Sequence, residues 1–220
     1  PYLPSVLKYR EKTRAHKEKS DASFPFVFNK VFELRDVSFA FHEKQPLLTG
    51  VNLHIKKNEM VGIIGPSGSG KTTMVDLILR LLEPHAGAIL IDGKNVRDIS
   101  LLEWRRNVSY VSQDIYVAND TILNNIAFYN PLVTEEKIKE AAHQANIYDF
   151  IATLPNGFLT EVGERGLRLS AGQRQRIVIA RELVRKPQIL ILDEATSALD
   201  NESERAIQDA IKELRKNTTG

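Results

Sequence analysis

Residues 61–82 read VGIIGPSGSGKTTMVDLILRLL, and this stretch decides the fold. The short apolar run VGIIG (61–65) is typical of a central strand that is buried on both faces. MVDLILRLL (74–82) carries apolar residues at helical spacing, and we expect this helix to stop at Pro84. Between the two, GPSGSGKT (65–72) matches the pattern G-x-x-x-x-G-K-[ST]. A strand, a glycine-rich loop and a helix in this order predict a phosphate-binding loop.

The loop has the chemistry that a nucleotide phosphate requires. Its glycines let successive backbone N–H groups turn inward, and the start of a helix adds partial positive charge. Lys71 would reach the β- and γ-phosphates, and the Thr72 hydroxyl would ligate Mg²⁺. The alternative is a glycine-rich turn followed by a surface lysine. The candidate phosphate-binding residues are Gly65, Ser67, Gly68, Ser69, Gly70, Lys71, Thr72 and Thr73.

The composition is that of an ordinary globular protein. The 220 residues are 42% hydrophobic and 26% charged, with a net charge of +2 and no cysteine. So small a charge does not favour a nucleic-acid partner, and a disulfide scaffold or thiolate metal site is excluded. No apolar run approaches the roughly 18 residues that a membrane helix needs. We therefore expect the isolated chain to be soluble.

Both termini suggest a piece of a longer polypeptide, because the chain opens on Pro1 without a methionine and closes on KNTTG. Residues 1–24 form a basic segment, interpreted either as a solvated arm or as a linker from an upstream transmembrane domain. Its basic residues are Lys8, Arg10, Lys12, Arg14, Lys17 and Lys19.

Other patterns predict an α/β protein with an added helical subdomain. VFELRDVSFAF (31–41) alternates as a half-buried strand would, with Val37, Phe39 and Phe41 on one face. A second strand, VNLHI (51–55), follows a turn predicted at Thr49-Gly50, and AILIDG (88–93) is a third with a turn.

Residues 114–186 are predicted to be mostly helical. Thr134 is a helix cap, Pro155-Asn156-Gly157 breaks a helix, and IVIARELVR ends before Pro187. QILILD (188–193) is again typical of a buried strand, and Asp200 or Asn201 caps a last helix.

The sequence ILILDE ends in two carboxylates with separate predicted roles. Asp193 lies at the end of a buried strand, where a charge is costly unless it meets a cation. Mg²⁺ near Thr72 would be that cation. Glu194 follows immediately, and as a general base it would polarise an attacking water.

LRLSAGQRQR (167–176) opens directly into a predicted helix. Ser170 and Gln173 have the spacing of a capping box. Ala171 and Gly172 are unexpected in a first helical turn if capping is the whole function, since glycine weakens a helix. Small residues there leave the backbone amides open, which suits an anion at the positive helix end. Both roles are compatible.

The order of these motifs resembles the nucleotide-binding domain of an ABC transporter, from Phe32 to the C-terminus. LSAGQ (169–173) is similar to the LSGGQ signature, and SALD (197–200) is similar to the D-loop. Gln113, in YVSQD, falls at the Q-loop glutamine, and Phe41 falls at the aromatic residue that stacks on adenine. The resemblance implies a P-loop NTPase (RecA-like) core with an N-terminal antiparallel β subdomain and an inserted α-helical subdomain. It implies one domain at 25–220, with the helical part at about 114–186.

The same resemblance implies ATP and Mg²⁺ as ligands. Two subunits would close head-to-tail on two ATP molecules, each held between the Lys71 loop of one subunit and the Ser170 loop of the other. The implied catalytic residues are Glu194, Lys71 and Gln113, and the implied metal ligands are Thr72, Gln113 and Asp193. Beyond the phosphate loop, the implied nucleotide-binding residues are Phe41, Ser170, Gly172, Gln173 and Asp200. Because one chain contains every active-site element named here, a homodimer is expected.

TEVGERG (160–166) resembles the loop through which exporter-type members contact their transmembrane domain. This implies a membrane protein whose ATPase domain lies at the cytoplasmic face, contacting the transmembrane domain through Gln113 and Thr160–Gly166. It implies no nucleic-acid partner.

The sequence departs from the family pattern in three places. Ala171 replaces a glycine, and Asn58 stands where glycine is usual, although asparagine tolerates left-handed geometry. All five histidines precede the signature, so we expect the chain to be truncated before the switch histidine. ATP binding is expected, whereas hydrolysis by this chain is left open. The alternatives are an ATP-gated clamp with little hydrolysis, a soluble ABC ATPase and a small-molecule kinase.

Overall fold

The structure, a computed structural model, describes residues 24–42 and 45–193. Several predicted features lie outside these residues: the basic segment up to residue 23, Glu194, the SALD motif with Asp200, and the last helix.

A four-stranded antiparallel sheet forms the N-terminal part of the fold, in the order β2-β1-β3-β4. The strands are β1 (Val31–His42), β2 (Gln45–Lys56), β3 (Ala86–Ile91) and β4 (Lys94–Asn95). This sheet confirms the antiparallel β subdomain and the strands predicted at 31–41 and 88–93. Asn58, just after β2, has φ 63°, the left-handed geometry expected of it.

The prediction of a turn at Thr49-Gly50 is wrong, because both residues lie within strand β2. Gly50 has φ 57°, and its N–H donates to Ser38 Oγ at 2.9 Å. The pairing of β1 with β2 shifts register on either side of Val37. The strand pairing is therefore irregular near Gly50 and accommodates its left-handed backbone without a turn.

Phe41 does not share the buried face of Val37 and Phe39, and its side chain is 62% exposed. The register shifts again between Phe39 and Ala40 and before His42, so the simple alternation of faces is lost there. The Phe41 ring instead meets Phe39 edge-on, with the centroids 5.0 Å apart. The prediction that Phe41 shares one strand face with Val37 and Phe39 is therefore wrong.

The remaining elements are helical except for a parallel pair of strands, β5 (Val108–Val111) and β6 (Ile189–Leu192). The helices within the described residues are α1 (Lys71–Ile78), α2 (Leu101–Asn107), α3 (Ile122–Ala127), α4 (Glu135–Gln144), α5 (Tyr148–Thr153) and α6 (Ala171–Leu183). Thr134 lies at the N-cap position of α4, without a side-chain capping hydrogen bond. Helix α5 ends before Pro155, and α6 ends before Pro187, as predicted.

The segment VGIIG is not a buried strand in this structure. Val61, Ile63 and Ile64 are exposed, Ile64 to 96%, and no strand among residues 24–42 and 45–193 pairs with them. An apolar run makes burial favourable, but it does not select the neighbouring strands that a ladder requires. Strands β5 and β6 pair with each other instead.

Helix α1 ends at Ile78, earlier than the predicted stop at Pro84. The indole N–H of Trp104 donates to the Ile78 carbonyl at 3.0 Å, which occupies an acceptor that a longer helix would use. Arg80 then takes the left-handed conformation, with φ 58°.

Two hydrophobic clusters divide the molecule. The first joins the antiparallel sheet to Leu77 and Ile78 of α1 and to Trp104. The second joins helices α3 to α6, including Ile177 and Ile179 of α6. Strand β5 connects them, because Val108 belongs to the first and Val111 to the second.

Alanine substitutions at two glycines, Gly87 and Gly93, test the packing of the sheet. A Cβ on Gly87 (φ 79°) would lie 2.3 Å from the Asp36 carbonyl oxygen and 2.4 Å from that of Arg35, whereas Gly93 (φ 80°) has nothing within 4 Å. Gly87→Ala combines left-handed strain with displaced backbone and should cost about 3 kcal/mol or more of unfolding free energy. Gly93→Ala has only the strain and should cost about 1 kcal/mol. Denaturant midpoints would measure both, and equal losses would contradict the packing described here.

Candidate nucleotide-binding site

The phosphate loop presents bare backbone at the start of α1. Residues 65–69 are exposed, and the Ser69 N–H closes the loop onto the Pro66 carbonyl at 3.3 Å. Gly70 lies at the N-cap with φ 90°, and no side chain caps the helix. The first N–H groups of α1 therefore have no side-chain acceptor and can meet an anion.

The Lys71 ammonium group lies across this loop. Its Nζ donates to the carbonyls of Gly65, at 2.8 Å, and Pro66, at 2.9 Å. Two neutral carbonyls are weaker partners for an ammonium group than a phosphate would be. The side chain is thus held where an incoming phosphate can replace them.

Two glycines of the loop, Gly65 and Gly70, leave little space for a side chain. A Cβ on Gly65 would lie 2.8 Å from Ser69 Oγ, and one on Gly70 would lie 2.8 Å from Leu48 Cδ2. Backbone therefore lines the phosphate loop, which fits the triphosphate of a nucleotide. Leu48 pairs with Phe39 in the sheet, so this contact places the Phe39–Phe41 end of β1 beside the phosphate loop.

Asp193 follows directly after β6, and its backbone N–H donates to the Val111 carbonyl at 3.0 Å. Gln113 follows β5, whose last pair with β6 is Val111 with Leu192. The two predicted magnesium ligands therefore follow the carboxyl ends of neighbouring parallel strands, and Gln113 is exposed.

Tyr110 and Asp76 extend this acidic site, and neither was predicted. The Tyr110 hydroxyl donates to Asp193 Oδ2 at 3.0 Å. Burial, together with the Asp193 carboxylate, raises the pKa of Tyr110 to about 12, so the phenol stays protonated at neutral pH. Burial, and then the charge of Asp193, also raise the pKa of Asp76 on α1. The effect of Asp193 on Asp76 indicates that α1 and the end of β6 lie near each other.

The described donors fit Mg²⁺. No three His, Cys, Asp or Glu side chains within residues 24–42 and 45–193 group as a protein-built metal cage. Mg²⁺ is usually held by one or two carboxylates together with substrate phosphates and water. Asp193 and the exposed Thr72 have the appropriate oxygen ligands.

The capping box at Ser170 is confirmed. Ser170 Oγ accepts the Gln173 N–H at 3.2 Å, and Gln173 Oε1 accepts the Ser170 N–H at 2.8 Å. Ser170 and Ala171 are exposed, whereas Gly172 is buried. A hydroxyl oxygen that accepts in this way keeps its own hydrogen to donate. Capping therefore leaves Ser170 able to bind an anion.

Residues 160–166 connect the start of α3 to the start of α6. The Thr160 carbonyl accepts the Ile122 N–H, and the Val162 N–H donates to the Asp120 carbonyl, each at 3.0 Å. Arg174 of α6 covers the buried Gly166, donating to the carbonyls of Gly166, at 3.3 Å, and Leu169, at 2.7 Å.

The phosphate loop and the Ser170 loop remain separate. Among the described residues, no hydrogen bond, ion pair or ring contact joins 65–73 to 170–173, and α1 and α6 belong to different hydrophobic clusters. Within the part of the chain that the structure describes, the two loops therefore do not contact each other.

A phosphate-binding loop and an aspartate at the carboxyl end of β6 define a P-loop NTPase. The ABC transporter family model matches residues 48–197, and the chain belongs to this family. Its fold is that of the family's P-loop ATP-binding domain, as predicted.

Similar proteins include the ATP-dependent lipid A-core flippases of Saccharophagus degradans and Vibrio cholerae. Each is 48% identical over 85% of this chain and 32% of the flippase. A solved bacterial Atm1-family ABC exporter with ATP bound matches with a TM-score of 0.81 and 36% identity, over 96% of this chain and 38% of the exporter. The chain thus spans about a third of the flippases' length. In the part that the structure describes, no helix has the length and apolarity needed to cross a bilayer.

Proposed function

We propose that this chain is the ATP-binding and ATP-hydrolysing domain of an ABC exporter, which dimerises head-to-tail around two Mg·ATP to power export across a membrane. The observation that carries this proposal is the uncapped start of α1 beside Lys71, whose ammonium group is held by two loop carbonyls. The names of the flippase relatives favour a lipid as the exported substrate.

The residues of one copy would hold most of the nucleotide. Lys71 and the N–H groups at the start of α1 bind the phosphates, and the exposed Phe41 ring stacks on adenine. Thr72, Asp193 and Gln113 hold Mg²⁺, which when bound neutralises charge on the phosphates. Glu194 accepts a proton from the attacking water.

The second copy would complete the site. Its Ser170, Gly172 and Gln173 bind the γ-phosphate at the start of α6, with Asp200 nearby. The separation of the two loops within the described residues of one copy supports this arrangement. Binding of ATP then closes the dimer, and hydrolysis opens it.

The proposed partners also include the transmembrane domain, at the cytoplasmic face of the membrane. It would be contacted through the Gln113 region and Thr160–Gly166. Support comes from the hydrogen bonds that fix residues 160–166 to the starts of α3 and α6, because a contact there reaches both helices.

The concentration dependence of Mg·ATP hydrolysis tests the proposal. It should be measured for this chain and for a version extended at the C-terminus through the switch histidine of the family. A rate that rises as the square of protein concentration in the extended version supports the two-copy site. If both versions bind ATP but neither hydrolyses it, the ATPase proposal fails and the chain is better described as a nucleotide-gated clamp.

Tyr110→Phe tests the hydrogen bond to Asp193. Losing this donor should raise the Mg²⁺ concentration needed for half-maximal ATP hydrolysis about tenfold, the typical effect of an outer-shell partner. Tyr129→Phe is the control, because its hydroxyl bonds Asp120, away from Asp193. Equal magnesium requirements in the two variants would contradict the role of Tyr110.

A further inference from the structure

Arg181 is a buried cation on α6 whose partners are uncharged. Its side chain is 7% exposed, Nε donates to the Asn125 carbonyl at 2.7 Å, and Nη1 donates to the Tyr116 carbonyl at 2.8 Å. Nη2 donates to Asn125 Oδ1 at 3.1 Å, and the guanidinium lies 4.7 Å from the centre of the Phe128 ring. No carboxylate of the described residues forms a salt bridge with it, since the adjacent Glu182 pairs with Arg185 instead. Such a charge is stable only while these dipoles and the ring stay in place.

Asn125 of α3 extends the network into residues 116–121. The buried Asn125 amide donates to the carbonyls of Ala118 and Thr121, each at 3.0 Å, and its Oδ1 accepts the Ala118 N–H at 2.9 Å. Residues 116–120 belong to no helix or strand, so their backbone groups need partners of this kind.

The network joins α6, the helix of the Ser170 loop, to residues that follow Gln113 in the chain. Helix α6 begins next to Ser170, and Arg181 lies about three turns further along it. Residues 116–121 follow soon after Gln113 in the chain. Tyr116, Phe128 and Tyr129 form an exposed aromatic rim around the guanidinium and the end of α3, each more than half exposed.

We propose that Arg181 and Asn125 are positioning residues that make residues 116–121 and the aromatic rim move with α6 as one body. The inference rests on the proposed function, because it takes the capture of ATP at Ser170 as the event that displaces α6. The three hydrogen bonds of Arg181 then carry that displacement to the rim. Arg181 touches no nucleotide itself.

Lysine cannot replace Arg181 in this role. A single ammonium group has no planar fork that reaches the Tyr116 carbonyl and both Asn125 oxygens together. Arg181→Lys keeps the charge and most of the stem but leaves carbonyls at 116 or 125 without their partner. We expect residues 116–121 to be released from α6 while the Ser170 loop is unchanged.

Hydrogen exchange on the full-length polypeptide in lipid nanodiscs tests the proposal, with and without Mg²⁺ and a non-hydrolysable ATP analogue. In the unmodified protein, exchange at 168–175 and at 116–121 should change with the same midpoint in analogue concentration. In Arg181→Lys the response at 168–175 and the affinity for the analogue should persist, and the response at 116–121 should be lost. Arg185→Lys is the control, because Arg185 contacts Glu182 and the Arg105 carbonyl instead.

A second variant keeps the test decisive if Arg181→Lys does not fold. Asn125→Asp keeps the three acceptors of Arg181 but removes the amide donors to the carbonyls of Ala118 and Thr121, so it should clearly reduce the response at 118–121. A full response in either folded variant would overturn this inference but leave the proposed function standing. Different midpoints in the unmodified protein would have the same consequence. No response at 168–175 in the unmodified protein would overturn the proposed function, and this inference with it.

Discussion

Replacing Lys71 by alanine is expected to lower ATP turnover by about 10²–10³-fold, the usual loss when one preorganised electrostatic group is removed from an active site. The ammonium group already lies at the phosphate loop, held by the carbonyls of Gly65 and Pro66. The phosphates of ATP would take over those contacts, and alanine offers no replacement. The measurement is steady-state hydrolysis by the full-length polypeptide, together with ATP affinity.

Two further variants sharpen this prediction. Lys57→Ala removes an exposed lysine outside the loop and should leave turnover near that of the unmodified protein. Lys71→Arg keeps the charge but brings a wider planar group into a loop lined by backbone, so it should remain strongly impaired. Turnover of Lys71→Ala within a few-fold of the unmodified protein would remove Lys71 from the site.

Glu194→Gln is expected to have the second large effect, a loss of about 10²–10⁴-fold in turnover with ATP binding retained. Glutamine keeps the size of the side chain but cannot accept the proton of the attacking water. Glu194 lies outside the described residues, so the prediction rests on its place next to Asp193 and on the family pattern. Hydrolysis and nucleotide binding should be measured side by side.

The control for Glu194→Gln is Glu135→Gln, an exposed carboxylate at the start of α4. It should change neither quantity. If Glu194→Gln hydrolyses ATP normally, another group is the base. If turnover is already negligible in the unmodified protein and the variant changes nothing, the ATP-gated clamp becomes the better account.

The sequence was most informative where chemistry is local. The phosphate loop, the Ser170 capping box and the end of α6 before Pro187 depend on residues a few positions apart, and all three are present. The position of Asp193 at the end of a strand was also predicted, whereas the strand β5 that precedes Gln113 was not.

Features that depend on distant neighbours were missed. Tyr110 reaches Asp193 across 83 positions, and Arg181 reaches Asn125 and Tyr116 across 56 and 65. Burial of VGIIG depends on which strands pair with it, and the exposure of Phe41 depends on register shifts between β1 and β2. Periodicity within one segment contains neither kind of information.

The central claim is that ATP is bound between the Lys71 loop of one copy and the Ser170 loop of another. Sedimentation of this chain carrying Glu194→Gln, with and without Mg·ATP, tests that claim most directly, beside the same chain with Ser170→Arg added. We predict an ATP-dependent dimer for the first, and a monomer that still binds ATP for the second. A dimer that survives Ser170→Arg, or a chain that stays monomeric with ATP bound at Lys71, would contradict the account.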